Sequence, residues 1–461
     1  MNTQSQKVVQ LRKLLGGSDR DELEIGGVPV TRLASMVATP FYVYSGDLVL
    51  RQVRRVSDAI GPEADLHYSI KANPSLGLCD LIARAGAGAE VASAGELLLA
   101  QRAGFLSGRT VFAGPGKTSR ELALACELGI GAVNVESSGE ADRLALVATG
   151  MGRPVRMGLR INPAFPAPKS QMHMAGGAQQ FGMDEESAFQ VIDRYRDHKY
   201  VRLVGLHVYS GTQASDISAL LLHCERIAGL GRQLADRLVR PLEMIDFGGG
   251  FAVPYFENSP GFDLETFGSG FRALTRKWRA DPVLGHTRYV IELGRYLVAE
   301  AGVYITRVVD VKRTRGRRIV VTDGGMNHHI TATGNFGQVF RKAYPISLVS
   351  TRHEQLGDPA TVAGPCCTPL DVLAHDFNLG GVEPGDLVAV FCSGAYGYSA
   401  SSLAFLSHPT PAELMVLGGN IHILREGGRT DQVLDGQMSL GVAGLPASEG
   451  ARSPAQPVSA A

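Results

Sequence analysis

From about residue 40 to residue 290, short apolar runs alternate with stretches of helical periodicity. In order they read FYVYS, DLHYSI, AEVAS, TVFAG, AVNVES, VRMGLRIN, LVGLHVYS, EMIDFGGG and YVIEL. Eight or nine strands interleaved with helices over roughly 250 residues predict a (β/α)8 barrel, an α/β architecture, with a doubly wound sheet as the alternative. Beyond about residue 300 the helical pattern fades, and VYITRVVDV, RRIVVTDGG, TVAGP, DLVAVFCSG, ELMVL and NIHIL follow. These runs predict a second, mostly antiparallel β domain. The expected organisation is an N-terminal segment over 1–40 joining the β domain, a barrel over 41–290, the β domain over 291–425 and a tail over 426–461. The stretch LPASEGARSPAQPVSAA in that tail is small and polar without periodicity, so disorder is expected there.

A chain of 461 residues is long enough for two or three cores. Its 45 basic and 45 acidic residues cancel, which argues against nucleic acid or anionic lipid as a partner. Six scattered cysteines without Cys-x-x-Cys spacing read as reduced thiols, and no metal-ligand spacing appears. No apolar run reaches 18 residues and the N-terminus lacks a signal-peptide core, so a cytoplasmic location is expected.

Chemistry-bearing residues follow the strands, where barrel active sites sit. Lys71 in YSIKANP ends an apolar strand, where partial desolvation can lower an amine's pKa enough to attack an aldehyde; alone, it reads more simply as a solvated loop lysine. Gly248, Gly249 and Gly250 in DFGGGF would let backbone N–H groups approach a phosphate, or would simply make a tight turn. Glu292 and Arg295 in ELGRY suit a carboxylate beside a pyridine nitrogen, or a surface ion pair. GPCCTPLD and SGAYGYSAS add a thiol, a carboxylate and two tyrosines, each ambiguous by itself.

Together, these motifs resemble the fold-type III pyridoxal-phosphate decarboxylases, the family of diaminopimelate, ornithine and arginine decarboxylases, from TPFYVY at residue 39 to about 420. The resemblance implies an alanine-racemase-like barrel with a C-terminal β domain, pyridoxal 5'-phosphate as cofactor, and a head-to-tail homodimer with shared active sites. It implies Lys71 as the Schiff-base lysine, Gly248 to Gly250 as the phosphate loop, Glu292 as partner of the pyridine nitrogen and Arg295 near the phosphate. Arg160 in LRIN and Tyr396 in GAYG match further cofactor contacts. Cys367 matches the thiol that the neighbouring subunit contributes to return a proton after CO2 leaves, with Cys366 its competitor. Thr368 and Asp371 are expected on the substrate side.

Three departures bear on substrate. Thr368 stands where diamine-forming relatives carry an acid, so the substrate is expected to lack a distal ammonium, which a neutral hydroxyl would leave unpaired. Tyr209 is read at the place of a ring-stacking histidine in a His-x-Gly-Ser pattern, with His207 two residues earlier. The segment DGGMNHHITATGNFGQVFRKAYPI replaces an Arg-Pro-x-x-Tyr pattern. It resembles the branch acting on carrier-protein-bound amino acids, such as glutamyl- or methylaspartyl-carrier decarboxylases of antibiotic biosynthesis. Related sequences serve siderophore or exopolysaccharide pathways. The basic run VKRTRGRR, 311–318, reads as a solvated hairpin or as a landing surface for an acidic carrier. A free diaminopimelate decarboxylase, a racemase using Tyr396 or Tyr398 as second base, and an inactive regulatory homologue are the competing readings.

Overall fold

Eight parallel strands close into a barrel in strict chain order: Ala64–Ser69, Gly88–Val91, Thr110–Phe112, Ala132–Val135, Val155–Arg160, Val201–His207, Met244–Gly249 and Arg288–Leu293. The last pairs with the first, Tyr289 opposite Ala64 and Leu293 opposite Tyr68, which excludes the doubly wound alternative. The description rests on a computed structural model and covers residues 5–17, 22–165, 172–173, 180–209, 211–257, 259–336, 342–350 and 358–440. Strands covered on both faces read as nearly continuous apolar runs, which is why the barrel was visible in the sequence. The strand-to-helix turns are fixed by side-chain caps at the mouth: Ser93, Ser137, Asp184, Asp216 and Asp263 each accept a backbone N–H of the helix they start. Thr118 and Glu121 form a reciprocal capping box.

The run FYVYS does not belong to the barrel, and the barrel extends past residue 290 to Leu293. Strand Phe41–Ser45 is buried at all five positions. It lies inside a nine-stranded sheet between Gly302–Thr314, antiparallel, and Ala412–Leu417, parallel. A strand buried on both faces of a mixed sheet carries the same apolar pattern as a barrel strand. Helix Gly46–Ile60 then leads from the sheet to the first barrel strand and packs against helix Leu264–Arg279. Gly302–Thr314 is the spine of the β domain, pairing along its length with Phe41–Ser45, Leu387–Val390 and Arg317–Thr322.

The N-terminal helix Gln6–Leu14 rests on this region: Lys7 pairs with Glu300 at 2.8 Å, and Arg12 donates to the Leu348 carbonyl at 2.6 Å. Past the sheet, Thr430–Leu434 forms a short 3-10 turn; the whole of the small, polar stretch LPASEGARSPAQPVSAA lies outside the described residues, which end at 440. Among the described residues no helix is long and apolar enough to cross a membrane.

Two hydrogen bonds clamp the β domain to the barrel beside Lys71. The Tyr396 N–H donates to the Ala72 carbonyl at 2.7 Å, and Asn73 Nδ2 donates to the Gly394 carbonyl at 3.0 Å. Asn73 Oδ1 also accepts the Ser75 N–H at 3.1 Å. Asn73→Ala strands a buried carbonyl and a buried N–H, so it should lower stability by about 2 kcal/mol in denaturant titration; a change near zero would show that the clamp carries no load.

Candidate active site

The barrel mouth holds a cavity of about 460 Å³, the size of a small-molecule site. Lys71 enters it from a 3-10 turn, Ile70–Ala72, at the end of the first strand, with 42% of its side chain exposed. Its Nζ bonds both carboxylate oxygens of Glu90, at 2.9 and 2.8 Å. Burial alone would depress the lysine's pKa. Glu90 above all, then Tyr396, Glu292 and Tyr209, outweigh burial and raise it. Lys71 is therefore an ammonium here, and must lose a proton before it can act as a nucleophile. Glu90 was not singled out from the sequence; the signal was an acid in the otherwise apolar strand AEVAS.

The glycine run ends the seventh strand in a turn that accepts no side chains. A Cβ on Gly249 would lie 1.8 Å from the Glu292 carbonyl oxygen and one on Gly250 2.1 Å from that of Gly211; Gly248 and Gly250 have φ of 60° and 86°. Arg295, just after the eighth strand, stacks against the rings of Tyr396 at 4.7 Å and Tyr255 at 5.6 Å. It has no carboxylate partner among the described residues, and its Nε is buried without an acceptor.

Glu292 faces His207 at 3.3 Å, Oε2 to Nε2, and both are buried. Burial opposes its ionisation, but His207, Asp246 and Lys71 hold its pKa at about 2. Strand Val201–His207 ends at His207, in register with Arg160 and Asp246. Tyr209 lies two residues on, its ring centroid 5.8 Å from Lys71 Nζ. Tyr209, read from sequence at the place of the ring-stacking histidine, thus stands beside Lys71, while His207 turns to Glu292. Both line the cavity.

Arg160 lines it too, but its Nη1 donates to Glu136 at 2.6 Å, and Glu136 also accepts the Gly114 and Gly182 N–H groups. The buried Lys117 donates to Glu140 at 2.7 Å and to two carbonyls. Tyr396 is held with φ of 54°, its carbonyl accepting Thr331 Oγ1–H at 3.1 Å.

Cys367 and Thr368 do not line this cavity within one chain. Cys367 is exposed, whereas Cys366 is buried and its thiol is pushed up to about 12 by burial and by Asp371. Asp371, expected to meet substrate, is 2% exposed, and its two oxygens accept the N–H groups of Met326 at 2.6 Å and Cys366 at 2.8 Å. It holds the loop and has no oxygen to spare. In the basic hairpin, Arg313 pairs with Asp358 and Arg318 donates to the Gly380 and Val382 carbonyls, leaving Lys312, Arg315 and Arg317 exposed.

The model of the pyridoxal-dependent decarboxylase family, pyridoxal binding domain, matches residues 47–299. The L-glutamyl-[BtrI acyl-carrier protein] decarboxylase of Niallia circulans is 36% identical over 412 residues, 89% of this chain and 96% of its own. The diaminopimelate decarboxylase of Zymomonas mobilis is 31% identical, with 87% and 92% covered. A crystal structure of diaminopimelate decarboxylase from M. jannaschii in co-complex with L-lysine superposes with a TM-score of 0.83 at 27% identity, covering 91% of this chain and 96% of that one.

The side chains present fit pyridoxal phosphate. The turn that a Cβ would fill and the carboxylate-free Arg295 suit the phosphate, the buried Glu292 Oε1 without a donor suits a protonated ring nitrogen, and Lys71 suits the aldehyde. Replacing Glu90 by glutamine removes the charge that stabilises the Lys71 ammonium, so the amine's pKa should fall. Cofactor loading of apoenzyme, followed by absorbance, should then reach its plateau rate at lower pH than in the parent. An unchanged pH profile would count against the Lys71–Glu90 pairing in solution.

Proposed function

The chain belongs to the pyridoxal-dependent decarboxylases and is a carboxy-lyase that uses pyridoxal phosphate, and from that premise we propose that it removes the α-carboxylate of an acidic amino acid tethered to an acyl carrier protein. The bond to be broken is Cα–COO⁻. The α-carboxylate and α-amine must therefore be free, which leaves the side-chain carboxyl for the thioester. Such a substrate, glutamyl or methylaspartyl in type, presents a neutral distal end.

The observation that carries this reading is the segment 323–336, which contains no lysine or arginine and reaches the cavity at Phe336. His328 and His329 are buried, with pKa values lowered by burial to about 4 and about 3, so both are neutral. His329 is hydrogen-bonded with Ser393 and Thr331, and His328 with the Pro409 carbonyl. Among the described residues of this segment no cation is available for a second free carboxylate. Phe181, Phe336 and Pro115 add apolar lining, which suits an uncharged acyl chain. Thr368 agrees: an ammonium desolvated against a hydroxyl would cost on the order of several kcal/mol. The 36% identity to a decarboxylase named for a carrier-bound glutamyl group supports the same reading.

When bound, the cofactor supplies an electron sink for the pair left on Cα as CO2 departs. The protein's part is positional. The N–H groups of the glycine turn and Arg295 hold the phosphate, Glu292 keeps a proton on the ring nitrogen, and Glu90 pairs with the Lys71 ammonium until that proton is lost. Cys367, supplied by the second protomer of a homodimer, returns a proton to Cα. The location is cytoplasmic, and the pathway one of antibiotic assembly.

CO2 release should be efficient from glutamate or methylaspartate loaded on a carrier protein and slow from free diaminopimelate, ornithine or lysine; efficient turnover of any free diamine-forming substrate would overturn the proposal. Cys367→Ala should slow turnover by about 10²-fold or more, as removal of a positioned proton donor does, while Cys366→Ala stays near the parent.

A further inference from the structure

One residue without an assigned role, Asp246, joins the glycine turn to the acid facing the ring nitrogen. It is fully buried on the seventh barrel strand, opposite His207 on one side and Val290 on the other. Its Oδ1 accepts the Gly248 N–H at 2.9 Å and so fixes the start of the turn. Its Oδ2 is buried without a donor, as is Oε1 of Glu292. The two carboxyls lie together, one atom each from His207, Asp246 and Glu292 falling within 4.8 Å of one another. Two ionised carboxylates at that separation would repel, and neither could donate to the other. A single proton between them removes both faults.

We propose that Asp246 is a positioning residue that keeps a proton in the folded enzyme and donates it as a hydrogen bond to Glu292, so that Glu292 alone presents a negative charge to the cofactor's ring nitrogen. The inference rests on the cofactor reading of the site. Burial first, then Glu292 and Glu90, push the Asp246 carboxyl well above the usual carboxylate range. The charged or titratable groups facing the pair are His207 on the sixth strand, Glu90 on the second, His67 on the first and Lys71 at the end of the first. None of them donates to Asp246 Oδ2. One side chain thereby sets both the turn that receives phosphate and the charge of the acid that receives the ring nitrogen.

Asparagine reproduces a protonated Asp246: its Oδ1 can accept the Gly248 N–H while its Nδ2 donates to Glu292. Leucine keeps the volume and loses both bonds. Cofactor affinity, read by absorbance titration of apoenzyme, should stay within about threefold of the parent in Asp246→Asn and fall more than about tenfold in Asp246→Leu. The apoenzyme's infrared difference spectrum should show a protonated carboxyl band at neutral pH that Asp246→Asn removes.

An asparagine variant as damaged as the leucine variant would require an ionised Asp246, or a cation held between two carboxylates, and would overturn the proposal. So would a leucine variant that binds like the parent, or no carboxyl band in the parent. Should the leucine variant fail to fold, the asparagine variant and the infrared band decide. Failure of the cofactor reading is recognised separately, because the parent itself would then bind no pyridoxal phosphate.

Discussion

Charge buried at the mouth of a barrel has to be answered from the same wall, because breaking a buried pair by removing one partner costs about 3–5 kcal/mol. Neighbouring strands and the turns and helix starts that follow them supply the answers here. Lys71 meets Glu90, Arg160 meets Glu136, and Lys117 meets Glu140, each at 2.6–2.9 Å. His207, Asp246 and Glu292 form a fourth group from three consecutive barrel strands. Against that background Arg295 stands out: its guanidinium packs on two tyrosine rings and meets no carboxylate among the described residues. The proposed function gives it the cofactor's phosphate as partner.

The β domain does more than cap the barrel. Its loop 394–397 is bonded to the two residues that follow Lys71, Ala72 and Asn73, and Thr331 from the segment 323–336 holds the carbonyl of Tyr396. The segment that departs from the diaminopimelate pattern therefore also positions a cavity residue. His329 is hydrogen-bonded with Ser393 and Thr331, His328 with the Pro409 carbonyl, and Phe336 lines the cavity. One stretch of chain thus both lines the cavity and holds the loop beside Lys71.

Much of this was legible before any coordinates. Doubly covered strands read as apolar runs, three glycines in a row demand a close backbone approach, and a lysine followed by Ala-Asn-Pro marks a strand end. What escaped depended on register or on distant neighbours. Phe41–Ser45 carries a barrel-like pattern but belongs to the sheet, since hydrophobicity records burial and not which layer provides it. Glu90 reaches Lys71 across 19 residues only because Ser69 lies opposite Glu90 in the barrel. Asp371 resembled a substrate ligand until two backbone donors were found on it. That His207 turns to Glu292 while Tyr209 lies near Lys71 likewise depended on neighbours from other strands.

The account turns on Lys71 as the amine that holds the cofactor. Reducing the pyridoxal-phosphate-loaded enzyme with borohydride and mapping the modified peptide by mass spectrometry tests this most directly. The label should fall on Lys71 alone and disappear in Lys71→Ala; a label on Lys117, or one that persists without Lys71, would contradict the assignment of the site.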